Sequence, residues 1–335
     1  MKSPRIIRLF WWEGLYAPTL GGQSRLSRGL KPLPHKGCSS LLPGSAGVER
    51  VDPNAFSRAK RVGGNALHLM AFALLTLAAG ATEIRVTGSD LLGADFARAV
   101  AEFARQNDTP VKLDLRGTRP GMTDLEAGRA DVGLFLLPAT EPPPGGDVAS
   151  RVMGYQVAVV AVPAGSSLGE VTFSGLRGNF GAGGQKGLTP FAVSAEAGLA
   201  WPLFQRIILQ DEAPKAGMEI FADGAALAGR LRAVESGMGV MGLASAGSGG
   251  LRVLALAPEP TEPAYLPTPE NVHGGAYPLR MMLYVSFPRA KAPELQRFLK
   301  YLLSDESAAA LAQASFLPLP VGARNQLVFE LEEMR

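Results

Sequence analysis

From Glu83 to Leu137, short apolar runs alternate with amphipathic ones, and that alternation restricts the fold more than any other feature of the chain. Glu83–Thr87 has the composition of a strand, and Leu91–Gln106 that of a helix with Leu92, Phe96, Val100 and Phe103 on one face. Val111–Leu115 is a second strand, Met122–Ala127 a short helix and Val132–Leu137 a third strand. This last strand carries no polar side chain, so both of its faces must be covered. Strands separated by helices and short loops predict an α/β fold with a largely parallel sheet. No self-similarity of 20–50 residues appears along the chain, which excludes a solenoid or a propeller.

The pattern continues downstream. Tyr155–Val162 is a long β-branched strand, able to leave one lobe and enter another. Phe191–Ser194 is expected as a strand and Gly198–Leu209 as a helix, with Pro202 tolerable only in its first turn. Asp223–Val234 is a helix capped by Asp223 and ended by Gly237. Strands follow at Gly239–Leu243 and Val253–Ala257, then a Pro-rich return around Pro258–Pro269. Leu279–Phe287 is apolar enough for a central strand, and the helices Pro293–Leu303 and Asp305–Ala314 close the pattern. These elements imply two α/β lobes with separate sheets, one from about 83–157 and 275–325, the other from about 160–270. Two crossovers are expected near Val157–Pro163 and Val272–Pro278.

Charge is unevenly distributed. The net charge is +3, yet residues 1–61 hold 11 basic and 3 acidic residues, which leaves 22 basic and 27 acidic residues for the rest. The basicity therefore precedes the folded part, and nucleic acid is not an expected partner. Residues 1–61 show no sustained period of 2 or 3.6 and read as a disordered extension or as sequence upstream of the true start. Arg58-Ala-Lys-Arg61, the apolar run Ala66–Ala81 and the small residues Ala79 and Ala81 have the layout of a secretory signal, so 62–81 is a signal-like segment and 82–335 the exported domain. The run is short for a membrane span. Cys38 is the only cysteine, so disulfides and thiolate metal sites are excluded from 82–335.

Four segments, in this order and spacing, give the chain a specific likeness: Val86-Thr-Gly-Ser-Asp-Leu91; Leu115-Arg-Gly-Thr-Arg-Pro-Gly121 with Leu125-Glu-Ala-Gly-Arg-Ala-Asp-Val-Gly133; Gly237-Met-Gly-Val-Met-Gly-Leu243; and Tyr277-Pro-Leu-Arg-Met-Met-Leu-Tyr284 with Phe316-Leu-Pro-Leu-Pro320. Over nearly all of 83–320 the chain resembles the phosphate-binding receptors of ABC transporters, in the periplasmic binding protein superfamily. The resemblance implies a two-lobed fold with two interlobe crossovers, a periplasmic or cell-envelope location, an oxyanion solute and an ABC transporter permease as partner.

Receptors of this kind hold a dehydrated oxyanion with hydroxyls, helix N-terminal N–H groups, one arginine and one carboxylate. Carried over, the resemblance makes Ser89, Asp90, Leu91, Thr118, Arg119, Ser194, Glu196 and Gly198 the candidate ligand-binding residues. The chemistry departs from the pattern. Asp90 stands where the first turn has Thr, Leu134–Leu137 lacks the expected carboxylate, and Val193–Leu199 lacks both the Arg and the Asp of the family's loop. A carboxylate about 4 Å from a bound anion costs roughly 4 kcal/mol at an effective dielectric near 20, which is about a thousandfold in affinity. Asp90 has a second reading as the N-cap of the Leu91 helix. Tight phosphate binding by the inherited mechanism is therefore not expected.

Other chemistry is sparse. His35, His68 and His273 are the only histidines, and His273 alone in a Gly-rich loop cannot build a zinc site or a triad. Gly181-Ala-Gly-Gly184 with Lys186 does not match a phosphate loop. Glu330–Glu333 reads as a solvated acidic cluster and Met281-Met282 as core. No cofactor, metal site or catalytic set is expected. The functions left open are capture of a small solute between two lobes, or a degenerate binding fold acting as an interaction module in the cell envelope.

Overall fold

A computed structural model describes residues 82–183, 187–247 and 249–334. The extension and the signal-like segment lie outside these residues, as do Gly184–Lys186 of the Gly181–Lys186 loop. The strands are β1 (Ile84–Gly88), β2 (Val111–Asp114), β3 (Val132–Pro138), β4 (Val148–Pro163), β5 (Glu170–Thr172), β6 (Thr189–Val193), β7 (Glu219–Phe221), β8 (Gly237–Gly242), β9 (Leu251–Val253), β10 (Ala255–Ala257), β11 (Arg280–Pro288) and β12 (Leu317–Pro318).

In the first lobe β1 lies between β2 and β3, parallel to both, and β11 runs antiparallel to β3 and β4. In the second, β6 lies between β7 and β8, parallel to both, and β8 runs antiparallel to β4. The expected central place of Leu279–Phe287 is where β11 sits. Its partner β3 is buried from Val132 to Leu137, as a strand without polar side chains requires.

The two sheets are not separate, as had been expected. Their hydrogen bonding forms one path, β2-β1-β3-β11-β4-β8-β6-β7, with β12 and β9 also on β4. The reason is the length of β4. Its 16 residues reach about 50 Å when extended. The stretch up to Val157 pairs with β11, and Ala158 onward pairs with β8 and β9. The strand of the first crossover is thus a member of both sheets, and no other strand among the described residues is shared. The second crossover runs beside it: Leu279 O accepts Ala158 N–H at 3.0 Å, and the buried Tyr277 donates its hydroxyl to Ala158 O at 2.9 Å.

Each lobe has its own core. Leu92, Phe96, Val100, Phe298 and Leu302 pack with β1, β3 and β11 in one; Phe180, Trp201, Phe204, Leu227 and Leu231 pack with β6 and β8 in the other. The first-lobe helix Gly93–Gln106 and the helix Ala292–Leu302 present the apolar stripes the sequence shows. Asp223 caps the Gly224–Ala233 helix as anticipated, accepting Ala226 N–H at 2.8 Å.

Three readings change. Glu330–Glu333 belongs to a helix, Val321–Glu333, where Glu330 pairs with Arg151 at 3.0 Å and Glu332 with Lys300 at 2.6 Å. That helix buries Arg324 and Leu331 and has almost no apolar stripe, so periodicity did not reveal it. His273 is not a loop residue without partners: it ends a short helix, Pro269–His273, and its Nδ1 lies 2.9 Å from the Tyr155 hydroxyl. Met281 and Met282 are only half-buried.

Candidate functional site

A cavity of about 360 Å³ opens between the lobes. The first lobe contributes Ser89, Asp90, Leu91, Thr118, Arg119, Leu136, Leu137, Pro138, Glu141 and Met281. The second contributes Leu199, Pro202, Leu203 and Arg206.

The first wall is built by the ends of β1 and β3. Gly88 approaches Leu134 so closely that a Cβ there would meet Leu134 O at 2.2 Å. Ser89 N–H donates to Leu134 O at 2.9 Å, and Gly117 N–H donates to Gly88 O at 2.8 Å. These bonds fix two turns side by side. One is the short 3₁₀ turn Asp90–Leu92; the other is the start of the helix Thr118–Glu126, entered through Gly117 at φ +120°. That helix begins four residues before the position read from sequence, which places Thr118 and Arg119 in its first turn rather than in a loop.

The hydroxyls of this wall are engaged by the protein itself. Ser89 is buried, and its Oγ accepts Leu91 N–H at 3.3 Å. Ser89, not Asp90, is therefore the cap of the turn, since it already occupies the extended backbone conformation a cap requires. Thr118 Oγ1 accepts Leu136 N–H at 3.0 Å and donates to Leu136 O at 3.4 Å. β1 pairs with β3 only as far as Leu134, and Thr118 takes over the strand edge beyond that point.

The charges divide into a pair and two singles. Arg119 donates to Glu141 at 2.7 Å. Asp90 and Arg206 are both exposed, and neither side chain makes a hydrogen bond or ion pair among the described residues. Solvent around Asp90 screens it, so its repulsion of an anion is weaker than the value for a site of intermediate dielectric.

The second wall differs from expectation in which residues form it. Ser194, Glu196 and Gly198 do not line the cavity. Ser194 N–H is donated to Phe221 O at 2.8 Å, Glu196 is exposed in the turn Ala195–Ala197, and Gly198 N–H points back to Ala195 O at 3.4 Å. The wall is instead the flank of the helix Ala200–Phe204 and the π turn Gln205–Leu209 that continues it. Pro202 falls in the first turn, where its missing N–H costs nothing. Leu199, just before this helix, packs against the first-lobe core and so bridges the lobes. Arg206 carried no motif in the sequence; only the helical spacing Leu199, Leu203, Arg206 could have placed it beside two apolar wall residues.

The most strongly perturbed carboxylate lies elsewhere. Burial pushes the Asp131 carboxyl up, but hydrogen bonds from Arg85 at 2.9 Å and Lys291 at 2.5 Å overcome it and hold Asp131 well below the ordinary carboxylate range. This cluster ties β1 and β3 to the turn Arg289–Lys291 and is structural. Among the described residues no group of three His, Cys, Asp or Glu side chains could hold a metal, and no helix is long and apolar enough to cross a membrane.

Solved structures share this architecture. A possible phosphate-binding protein from Planctomyces limnophilus superposes with a TM-score of 0.59 at 18% identity, over 76% of this chain and 99% of that one. PstS from Borrelia burgdorferi superposes at 0.59 and 12% identity, over 71% and 99%. The fold is that of the phosphate-binding receptors. An ABC-type phosphate transport receptor from Vibrio cholerae agrees, at 0.54 and 14% identity over 71% and 100%. At such identities the receptor fold is shared and the ligand is not thereby assigned. No protein-family model matches the sequence, and no curated protein does.

Proposed function

We propose that residues 82–335 form an exported solute-binding domain that captures a small solute between lobes of about 83–157 with 275–325 and about 160–270. On this reading 62–81 is the export signal, 1–61 lies ahead of the mature protein, the location is the periplasm or cell envelope, and an ABC transporter permease is the partner. The domain is read as a binder and not an enzyme. The observation that carries the proposal is the cavity of about 360 Å³ lined from both lobes, a volume suited to a small solute.

Phosphate is not the expected solute. Thr118 spends its hydroxyl on Leu136, Arg119 is paired to Glu141, and Asp90 opposes an anion, which leaves the Ser89 O–H as the one hydroxyl donor of this wall. Calorimetric titration of the full chain with phosphate is expected to show no binding, or binding no tighter than about millimolar, roughly −4 kcal/mol. Asp90→Thr should improve it. Micromolar phosphate binding by the unmodified chain would overturn the altered-site reading.

A second reading has one observation in its favour. Leu199 packs against the first-lobe core and joins the two lobes through direct apolar contact. A degenerate binding fold serving as an interaction module in the cell envelope would use such a contact to hold one fixed shape.

A further inference from the structure

We infer that the cleft takes a small zwitterion with an apolar body, its ammonium held by Asp90 and its carboxylate by Arg206. This rests on the solute-binding reading above and names the substrate class of the same site. Three observations lead to it.

The first is the charge balance. Of the four ionised side chains lining the cavity, Arg119 and Glu141 neutralise each other through their hydrogen bond. The two that remain have opposite signs and stand on opposite lobes: Asp90 in the first-lobe turn and Arg206 in the second-lobe π turn. A simple anion satisfies Arg206 and is repelled by Asp90. A simple cation meets the reverse difficulty. A molecule carrying both charges satisfies both walls and draws them together.

The second is what lies between these charges. Leu91, Leu199, Leu203 and Met281 make the lining predominantly apolar. A sugar or a polyol would leave its hydroxyls unpaired against such walls, at a cost in affinity for each one. An aliphatic or thioether side chain would instead gain from the contact.

The third is the state of the hydroxyls. Thr118 spends its hydroxyl on Leu136 as donor and acceptor, and Ser89 accepts Leu91 N–H and keeps only its O–H to donate, so the ionic contacts to a ligand fall to the charged side chains. An arginine matches a carboxylate in bidentate geometry. A carboxylate accepts from an ammonium equally well.

The test uses the full chain, with L-leucine and L-methionine as probes. N-acetyl-L-leucine lacks the ammonium, and L-leucine methyl ester lacks the carboxylate. Thermal shift and calorimetric titration should show binding of at least one free amino acid, with each derivative weaker by about 10- to 100-fold, the range for losing one charge-assisted contact. Asp90→Asn should weaken the free amino acid and leave the anionic N-acetyl form unchanged or tighter, while Arg206→Gln should weaken the free amino acid and leave the cationic methyl ester unchanged or tighter. Equal binding of a derivative, or failure of the two variants to discriminate, overturns the inference. If the amino acids are silent but a sugar, a polyamine or phosphate shifts the melting temperature, the zwitterion falls and the solute-binding reading stands. If none of these solutes shifts it, both fall.

Discussion

The two walls of the cleft share a border and differ in how they are made. The first-lobe wall is a pair of turns held together by their own polar groups: Ser89 on Leu91, Thr118 on Leu136, Gly117 on Gly88. The second-lobe wall is the side of a helix resting on an aromatic core, with apolar residues and Arg206, whose side chain has no partner among the described residues, lining the cavity. A turn can keep its shape after its ligand chemistry has been replaced, because the same hydroxyls that could face a solute also cap backbone. The helix wall owes nothing to a ligand loop. Likeness in turn sequence thus reports architecture, and it does not extend to the helix that forms the opposite wall.

The largest expected effect tests whether the second wall rests on its core. Phe204 is fully buried, 4.9 Å from the Phe180 ring and stacked on Trp201 at 5.5 Å. Phe204→Ala should cost about 3–5 kcal/mol, from lost transfer energy and the cavity left behind. Denaturant unfolding should show a lower midpoint at unchanged slope. A loss below about 1 kcal/mol would mean the wall does not depend on that aromatic cluster, and the contrast drawn between the walls would fail.

Much of the fold was legible because it is written in periodicity. The apolar stripe of Gly93–Gln106 and the polar-free run Val132–Leu137 left few alternatives. The Val321–Glu333 helix was not legible, since the face it packs on the cores with Leu327, Val328 and Leu331 also carries the buried Arg324, and charged Arg151–Glu330, Lys300–Glu332 and Arg324–Asp305 pairs interrupt the apolar pattern. In the site, Ser89–Leu91 and Thr118-Arg119 could be placed because they follow strand ends whose register is fixed by β1 and β3. Ser194, Glu196 and Gly198 were aligned to a ligand loop, but the chain there folds into its own 3₁₀ turn, and the helix after it supplies the wall. A local backbone choice of three residues decided which side chains reach the cleft, and composition does not encode that choice.

A middle-sized effect separates structural from ligand use of the first-wall hydroxyls. Thr118→Val removes the acceptor for Leu136 N–H at a strand edge that β1 does not reach, at an expected cost of about 1–3 kcal/mol. Thr118→Ser keeps the oxygen and should lose much less. Thermal unfolding of the two variants distinguishes them. If Thr118→Val unfolds like the unmodified chain yet abolishes solute binding, the hydroxyl belongs to the ligand and the first wall is not self-satisfied.

The smallest effect on stability comes from the paired charges, and it also says whether the first wall can be made to accept an anion. Arg119 is 70% exposed on its side chain and Glu141 24%, so their attraction is screened and worth no more than about 1 kcal/mol. Glu141→Gln should therefore leave the melting temperature nearly unchanged, with any shift shrinking as salt is raised. Its effect on binding should be larger than its effect on folding. With the carboxylate gone, the Arg119 guanidinium is free to swing toward the cavity, and the net charge of the lining rises by one. Phosphate affinity should then improve by about tenfold, the return for one exposed charge contact of roughly 1 kcal/mol or a little more. Combining it with Asp90→Thr removes the second opposing carboxylate and should add to the gain, since the two side chains have no contact in common. If neither variant nor their combination raises phosphate affinity, then what bars an anion is not the charge on the first wall but the apolar flank opposite it, and the difference between the walls is one of shape before it is one of charge.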